Sequence, residues 1–291
     1  METKLIQAET TSDLVPSPAQ YAVLLPERAA AEPLPLLLFL HGGGGSRDFL
    51  ALMRPVIEGC WDDGSLPPMV VATPSVGRSF YMDYRDGSQR WESFILGPFM
   101  DLVRHDYSAA SQRDRTFACG VSMGGMGVLR LGLKHPERFA AVAALEPGID
   151  PALKWADVQP RHKFYRGPAL FAELFGSPFD EAYWEQNNPA NIAFANAEAI
   201  RGSGFQVWLD AGDEDFFNLH EGTEFLHRIF WEQRIPHDYH LIRGANHVGR
   251  TMPGRFREAL AFLGRVIDPP GPDPAVEGLE ARMGDAKRRF G

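Results

Sequence analysis

The segment Gly120-Val121-Ser122-Met123-Gly124-Gly125 sets a serine between two glycines at G-x-S-x-G spacing. It follows the apolar run Thr116-Phe117-Ala118-Cys119. It opens a helical pattern with Met123, Met126, Leu129, Leu131 and Leu133 that stops at Lys134-His135-Pro136. A serine on a sharp strand-to-helix turn exposes its Oγ above a sheet and aims the next backbone N–H, that of Met123, at the same space. The helix N-terminus beneath adds a positive dipole end where an oxyanion would form. A side chain at Gly120 or Gly124 would collide with the neighbouring strand or helix. The chemistry such a turn supports is nucleophilic attack on an acyl carbon. A second glycine run, His41-Gly42-Gly43-Gly44-Gly45, follows the apolar strand pattern Leu36–Leu40. Here the backbone can approach a ligand and turn its N–H groups inward, as in an oxyanion loop placed ahead of the nucleophile. Gly43 N–H is the expected second donor, with Gly44 the alternative and a candidate substrate contact; His41 reads as a brace for the loop. Neither a G-x-G-x-x-G fingerprint with a downstream acid nor a G-K-[ST] phosphate loop is present.

A serine nucleophile needs a base, and the base an orienting acid, in the chain order Ser, acid, His. The run Phe205-Gln206-Val207-Trp208-Leu209-Asp210 predicts a strand leading into the acidic loop Ala211-Gly212-Asp213-Glu214-Asp215. Asp215 is the expected acid, since its spacing from Gly212 sets the carboxylate beyond the turn. Asp213 is the runner-up, and Asp210 is expected to end the strand. His247, in Arg243-Gly244-Ala245-Asn246-His247, is the expected base. It follows the strand pattern His237–Ile242. The other histidines lack the spacing of a zinc site, and no cofactor is implied. Cys119 reads as a small core residue and Cys60 has no evident partner, so a cysteine nucleophile is disfavoured.

Seven short apolar runs read as strands: Gln20–Leu25, Leu34–Leu40, Met69–Thr73, Thr116–Gly120, Phe139–Leu145, Phe205–Asp210 and His237–Ile242. Their near-continuous apolar character suits strands buried on both faces. Helical patterns lie between them at Arg47–Gly59, Trp91–Arg104, Met123–His135, Leu219–Gln233 and Gly254–Val266. Such alternation predicts an α/β fold, a mostly parallel central sheet flanked by helices. Pro147–Arg201, rich in aromatic residues, predicts an insertion over one end of the sheet that shapes an apolar pocket. Tyr81, Asp83, Trp91, Glu92 and Trp184 are candidates to line or brace that pocket. One domain over residues 1–267 is expected, followed by a Pro-rich linker and C-terminal tail over 268–291. The segment Ala275–Gly291 is a candidate contact in a homo-oligomer.

Acidic residues outnumber basic ones, 38 against 29, for a formal charge of −9. A nucleic-acid or anionic-membrane binder ordinarily carries the opposite sign. No run approaches the ~20 apolar residues of a membrane span. The first residues lack a basic segment followed by an apolar one, so a cytoplasmic location is expected.

Together these residues resemble an esterase family of the α/β-hydrolases that holds esterase D-like enzymes, S-formylglutathione hydrolases, feruloyl esterases and mycolyltransferases. The resemblance runs from about Ala22 to Leu263. It is carried by Leu38-Phe39-Leu40-His41-Gly42-Gly43-Gly44, Ser79-Phe80-Tyr81-Met82-Asp83, Trp91-Glu92-Ser93-Phe94, the Ser-Met-Gly-Gly turn, Leu174-Phe175-Gly176, Asn188-Pro189-Ala190-Asn191, Gly212-Asp213-Glu214-Asp215 and Asn246-His247. It implies an α/β-hydrolase fold, with Ser122 as nucleophile, His247 as base, Asp215 as acid, and Met123 and a first-loop glycine as oxyanion donors. Val248-Gly249-Arg250 departs from the acidic or aromatic residue that often follows the histidine in this family. The function so implied is hydrolysis of a small or medium carboxylic ester through an acyl-serine. A thioesterase or acyltransferase using the same triad is one alternative, and a non-catalytic hydrolase-like binding protein the other.

Overall fold

The computed structural model describes residues 2–27, 32–271 and 273–290. Eight strands form one sheet: β1 (Thr3–Thr10), β2 (Ala19–Pro26), β3 (Leu36–Leu40), β4 (Val70–Pro74), β5 (Thr116–Val121), β6 (Ala141–Leu145), β7 (Gln206–Gly212) and β8 (His237–Ile242). Their order across the sheet is β1-β2-β4-β3-β5-β6-β7-β8. The first two pair antiparallel, β2 is antiparallel to β4, and every later pairing is parallel. The chain runs outward from β3 to β4, then returns to place β5 on the other side of β3. The carboxyl ends of β3 and β5 therefore bound the crevice where the strand order reverses, the place where α/β sheets bind ligands. Both glycine loops lie there.

Side-chain alternation along the central strands feeds two cores. Leu36, Leu38 and Leu40 face one core, together with Phe94 and Phe99, Val128 and Leu129, and Leu226 and Phe230 from the helical segments 91–106, 123–134 and 219–232. Leu37 and Phe39 face the other, against Leu50 and Ile57 of the helix Asp48–Asp62 and Phe256 and Leu260 of the helix Met252–Ile267. Each such side chain contributes ~1.5–3 kcal/mol on full burial. β3, β4 and β6 are buried along their whole length.

The parallel sheet with flanking helices is as predicted, with three local differences. The edge strand β1 has no counterpart among the predicted strands, because its half-exposed residues, flanked on one side only, give no continuous apolar run. The opposite edge, β8, also alternates in exposure and is not buried on both faces. The helix expected over Trp91–Arg104 is divided by a π turn at Ile95–Phe99 and ends at Asp106. Pro98 sits in that turn, where it has no N–H to donate to the preceding turn. The tail forms a helix over Pro274–Phe290; Pro272 of the linker and the terminal Gly291 lie outside the described residues. Among the described residues no helix is long and apolar enough to cross a membrane.

The helix Met252–Ile267 lies so close to the loop before β4 that a Cβ built on Gly264 would sit 2.0 Å from the Ser65 carbonyl oxygen. Backbone must move to admit it. Gly264→Ala is expected to lower the unfolding free energy by ~1–3 kcal/mol, measured by urea denaturation with an unchanged m-value.

Candidate active site

Ser122 has φ 58° and ψ −117°, a left-handed conformation that non-glycine residues rarely hold. Three backbone hydrogen bonds fix it. Its N–H donates to Leu145 O at 2.9 Å, and its carbonyl accepts from Met126 N at 3.0 Å and Gly148 N at 3.2 Å. Its side chain does not cap the helix Met123–Lys134 that it precedes. The flanking glycines are required by contact. A Cβ on Gly120 would lie 2.5 Å from the Gly124 carbonyl carbon, and one on Gly124 would lie 2.2 Å from the Leu40 carbonyl oxygen.

The first glycine loop is held from behind. His41 is fully buried; its Nδ1 donates to Gly42 O at 2.8 Å and its Nε2 accepts from Val76 N at 3.3 Å. Burial, opposed only by the Gly42 bond, pushes its imidazole pKa down. His41 is thus a neutral brace. Tyr81 OH donates to His41 O at 2.9 Å, so Tyr81 supports this loop. Tyr81 and Phe80 both have positive φ, 57° and 53°. The buried Arg130 guanidinium donates to Phe80 O and, at 3.0 Å, to Asn187 O, which fastens that strained pair.

Asp215 and His247 stand on the loops after β7 and β8. The Asp215 Oδ2 accepts from His247 Nδ1 at 2.7 Å, and its Oδ1 accepts from Phe217 N at 2.6 Å. Burial pushes the Asp215 carboxyl up. The His247 bond, with the Phe217 N–H, outweighs burial and holds it below the usual carboxylate range. Asn246 links the two loops: its Oδ1 accepts from Phe216 N at 3.1 Å and His247 N at 2.8 Å. Asp213, the runner-up acid, accepts from Gly244 N at 2.7 Å and does not face the histidine. Asp210 does not end its strand, because β7 continues to Gly212. Its carboxylate is buried and accepts from Arg255 Nε at 2.7 Å.

Ser122 and His247 line one cavity of about 620 Å³, together with Gly42, Gly43, Gly44 and Met123. The rest of its wall is apolar and aromatic, with Phe49, Phe80, Tyr165, Phe216, Phe217 and Phe256 prominent. Phe217 packs against the His247 ring at 4.7 Å and 85°. Arg78 is the one cationic side chain among the described lining residues other than the histidine. Tyr81, Trp91 and Trp184 do not line the cavity. Trp91 Nε1 donates to Gln89, and Trp184 is buried with Nε1 donating to Asp150 at 3.0 Å. Glu92 pairs with Lys134, and Asp83 accepts from Ser93 N. Most insertion aromatics pack against one another, as Trp155 does edge-on with Phe171 and Trp184 and tilted against Phe179. Tyr165 and Gly148 are the insertion residues that reach the cavity. Phe216 and Phe217 were not anticipated, although their position directly after Asp215 was a usable signal.

A family model described as "Putative esterase" matches residues 12–261. The chain belongs to this esterase family. The S-formylglutathione hydrolase of Bos taurus is 24% identical over 261 residues, covering 78% of this chain and 82% of that enzyme. An acetyl esterase of Caldicellulosiruptor saccharolyticus is 31% identical over 120 residues, which cover 41% of this chain and 43% of that enzyme. Among solved structures, a ferulic acid esterase aligns with a TM-score of 0.75 at 20% identity, covering 91% of this chain and 99% of the other. An S-formylglutathione hydrolase from Agrobacterium tumefaciens aligns with a TM-score of 0.72 at 19% identity, covering 91% and 95%. The fold is thus that of an α/β-hydrolase, and the protein is an enzyme that hydrolyses esters.

In this esterase the turn at Ser122 tolerates no side chain at Gly120 or Gly124. Gly124→Ala must part the helix from β3 and displace Met123 N–H. It is expected to abolish covalent labelling by a fluorophosphonate even in the fraction that remains folded, as read by circular dichroism on the same sample.

Proposed function

We propose that the protein is a serine carboxylic-ester hydrolase acting through an acyl-serine on small to medium esters with an apolar or aromatic group. The observation that carries this reading is the 2.7 Å Asp215–His247 hydrogen bond at the wall of the cavity that Ser122 also lines. With Nδ1 donating to Asp215, the His247 tautomer leaves Nε2 free as the base. His247 takes the Ser122 proton as Oγ attacks the ester carbonyl, and returns it to the departing alcohol. Asp215 holds the tautomer and stabilises the imidazolium. Met123 N–H and Gly43 N–H receive the oxyanion, each such donor being typically worth ~3 kcal/mol of barrier. Water then enters by the same base to release the acid.

A thioester substrate is the second reading, favoured by the length of the alignment to S-formylglutathione hydrolase. Against it stands the cavity wall. A glutathione adduct carries two carboxylates and an ammonium group, whereas the described lining offers Arg78 alone beside the histidine. The apolar wall suits an uncharged acyl or alcohol group, each buried methylene adding ~0.8 kcal/mol.

Three outcomes test the proposal. Against p-nitrophenyl acetate, butyrate and octanoate, kcat/KM is expected to rise with chain length and to collapse in Ser122→Ala and His247→Ala. Asp215→Asn is expected to lower kcat on the order of 10⁴-fold, while Asp213→Asn stays near wild type; the reverse ranking would reassign the acid. In competition, an S-formylglutathione excess that suppresses p-nitrophenyl butyrate turnover at micromolar level would favour the thioester reading.

A further inference from the structure

Glu146 follows β6 with φ 43°, a strained left-handed conformation for a residue with a side chain. It is fully buried. Its N–H donates to Asp210 O at 2.8 Å, which fixes it between β6 and β7. Its Oε1 accepts twice, from Gly212 N at 2.8 Å and from Arg255 Nη2 at 2.7 Å. Its Oε2 finds no donor. Yet one oxygen of Glu146, one of Asp215 and a ring nitrogen of His247 lie within 4.8 Å of one another. An ionised Oε2 in that position would be a buried acceptor without a donor, set beside a second carboxylate, a costly arrangement. A protonated Glu146 carboxyl would instead bring a donor to that cluster.

We propose that Glu146 is a positioning residue for Asp215. In the resting enzyme it stays protonated and donates its Oε2–H to the Asp215 carboxylate, which fixes the group that holds His247. The inference rests on the Ser122–His247–Asp215 reading above. The charge of the cluster supports it. Asp215 on the loop after β7, Asp210 on β7 and Glu146 after β6 face Arg255 from the helix Met252–Ile267 and His247 from the loop after β8. Three carboxylates against one guanidinium would leave two uncompensated negative charges in a buried site; a proton on Glu146 leaves one. That remaining charge is the one an imidazolium neutralises when His247 accepts the serine proton. Burial, offset in part by Arg255, and the bond to Asp215 push the Glu146 carboxyl up to about 8. A cation does not fit in its place, since Arg255 already occupies Oε1 and Asp215 binds His247 directly.

The sign follows from the raised pKa. Below about pH 8 the proton and the hydrogen bond are present. Above it Glu146 ionises, loses the donor, and sets a like charge against Asp215, so the acid loses its hold on the imidazole. The test measures kcat and KM for p-nitrophenyl butyrate across pH in wild type, Glu146→Gln and Glu146→Leu. Gln keeps both the acceptor for Gly212 and Arg255 and a donor for Asp215, but has no proton to lose. Wild type is expected to show a fall in kcat on the alkaline side, centred near 8, that Gln lacks. Leu, which removes the donor, is expected to lose ~10–100-fold in kcat at all pH values with KM little changed, and Gln to recover most of that loss. Infrared difference spectra between wild type and Gln at neutral pH are expected to show the carbonyl band of a protonated carboxyl that disappears as pH rises. Superposable pH profiles in wild type and Gln, or an ionised Glu146 at neutral pH, would overturn the proposal while fluorophosphonate labelling of Ser122 still upheld the triad. Loss of that labelling in wild type would overturn the triad and the role of Glu146 with it.

Discussion

Backbone pressed against backbone is the constraint on which the site depends. The helix that starts after Ser122 crosses β3 with a Cβ position on Gly124 only 2.2 Å from the Leu40 carbonyl oxygen. Nothing larger than hydrogen fits. That contact brings a helix N-terminus to the end of β3, where the chain turns into Gly42 and Gly43. Ser122, the N–H that follows it and the N–H groups of the first loop are consequently one assembly. The strain at Ser122, φ 58°, is tolerated because the adjoining strand and the helix over-determine it. The crevice itself exists because the strand order reverses at β3, with β4 added on one side and β5 on the other, so the connections leave in opposite directions.

Asp215 and His247, the proposed acid and base, come from a second, separately fastened unit. β7 and β8 run parallel, and their loops meet through Gly212, whose Cβ position lies 2.3 Å from the Ala245 carbonyl oxygen. Asn246 then joins the loops by accepting from Phe216 N while it also accepts from its neighbour His247 N. Beneath them lie the buried Arg255, Asp210 and Glu146. Burying such a group costs several kcal/mol per ion before pairing, so a well-packed apolar cluster would be no less stable. Their position directly under Asp215, rather than any net stabilisation, is what gives this arrangement a use.

Legibility in the sequence followed how local each constraint was. Ser122 and its glycines could be read because the strand-to-helix turn they form is written within six residues, although the Leu40 carbonyl that excludes a side chain at Gly124 lies far off in the chain on β3. His247 and Asp215 followed from chain order and from the strands before them, and Asp215 could be separated from Asp213 only by spacing after Gly212. The parallel sheet was legible because central strands are buried on both faces, and β1 was missed because an edge strand is not. The cavity wall was the least legible part. Trp184 and Phe216 are both aromatic residues near polar neighbours, yet one is a buried donor to Asp150 and the other faces the cavity. Which of them meets substrate depends on how loops distant in sequence pack, and residue type carries no record of that. Glu146 was hidden for the same reason, since its partners lie on β7, the loop after it and the helix Met252–Ile267.

The same aromatic wall does two physical jobs that cannot be separated. It removes apolar substrate surface from water, at roughly 25 cal/mol per Å². It also encloses the space around His247, with Phe217 packed edge-on against the ring, and so lowers the local dielectric in which the proposed oxyanion donors and the Asp215 charge would act. Charge develops there only as the ester carbonyl is attacked, so the electrostatic benefit belongs to the transition state while the burial benefit is shared with the bound ester. A smaller side chain at Phe217 would therefore admit water to both. Its effect would extend beyond weaker binding into kcat, and an aromatic residue touching no reacting atom would behave kinetically like part of the catalytic apparatus.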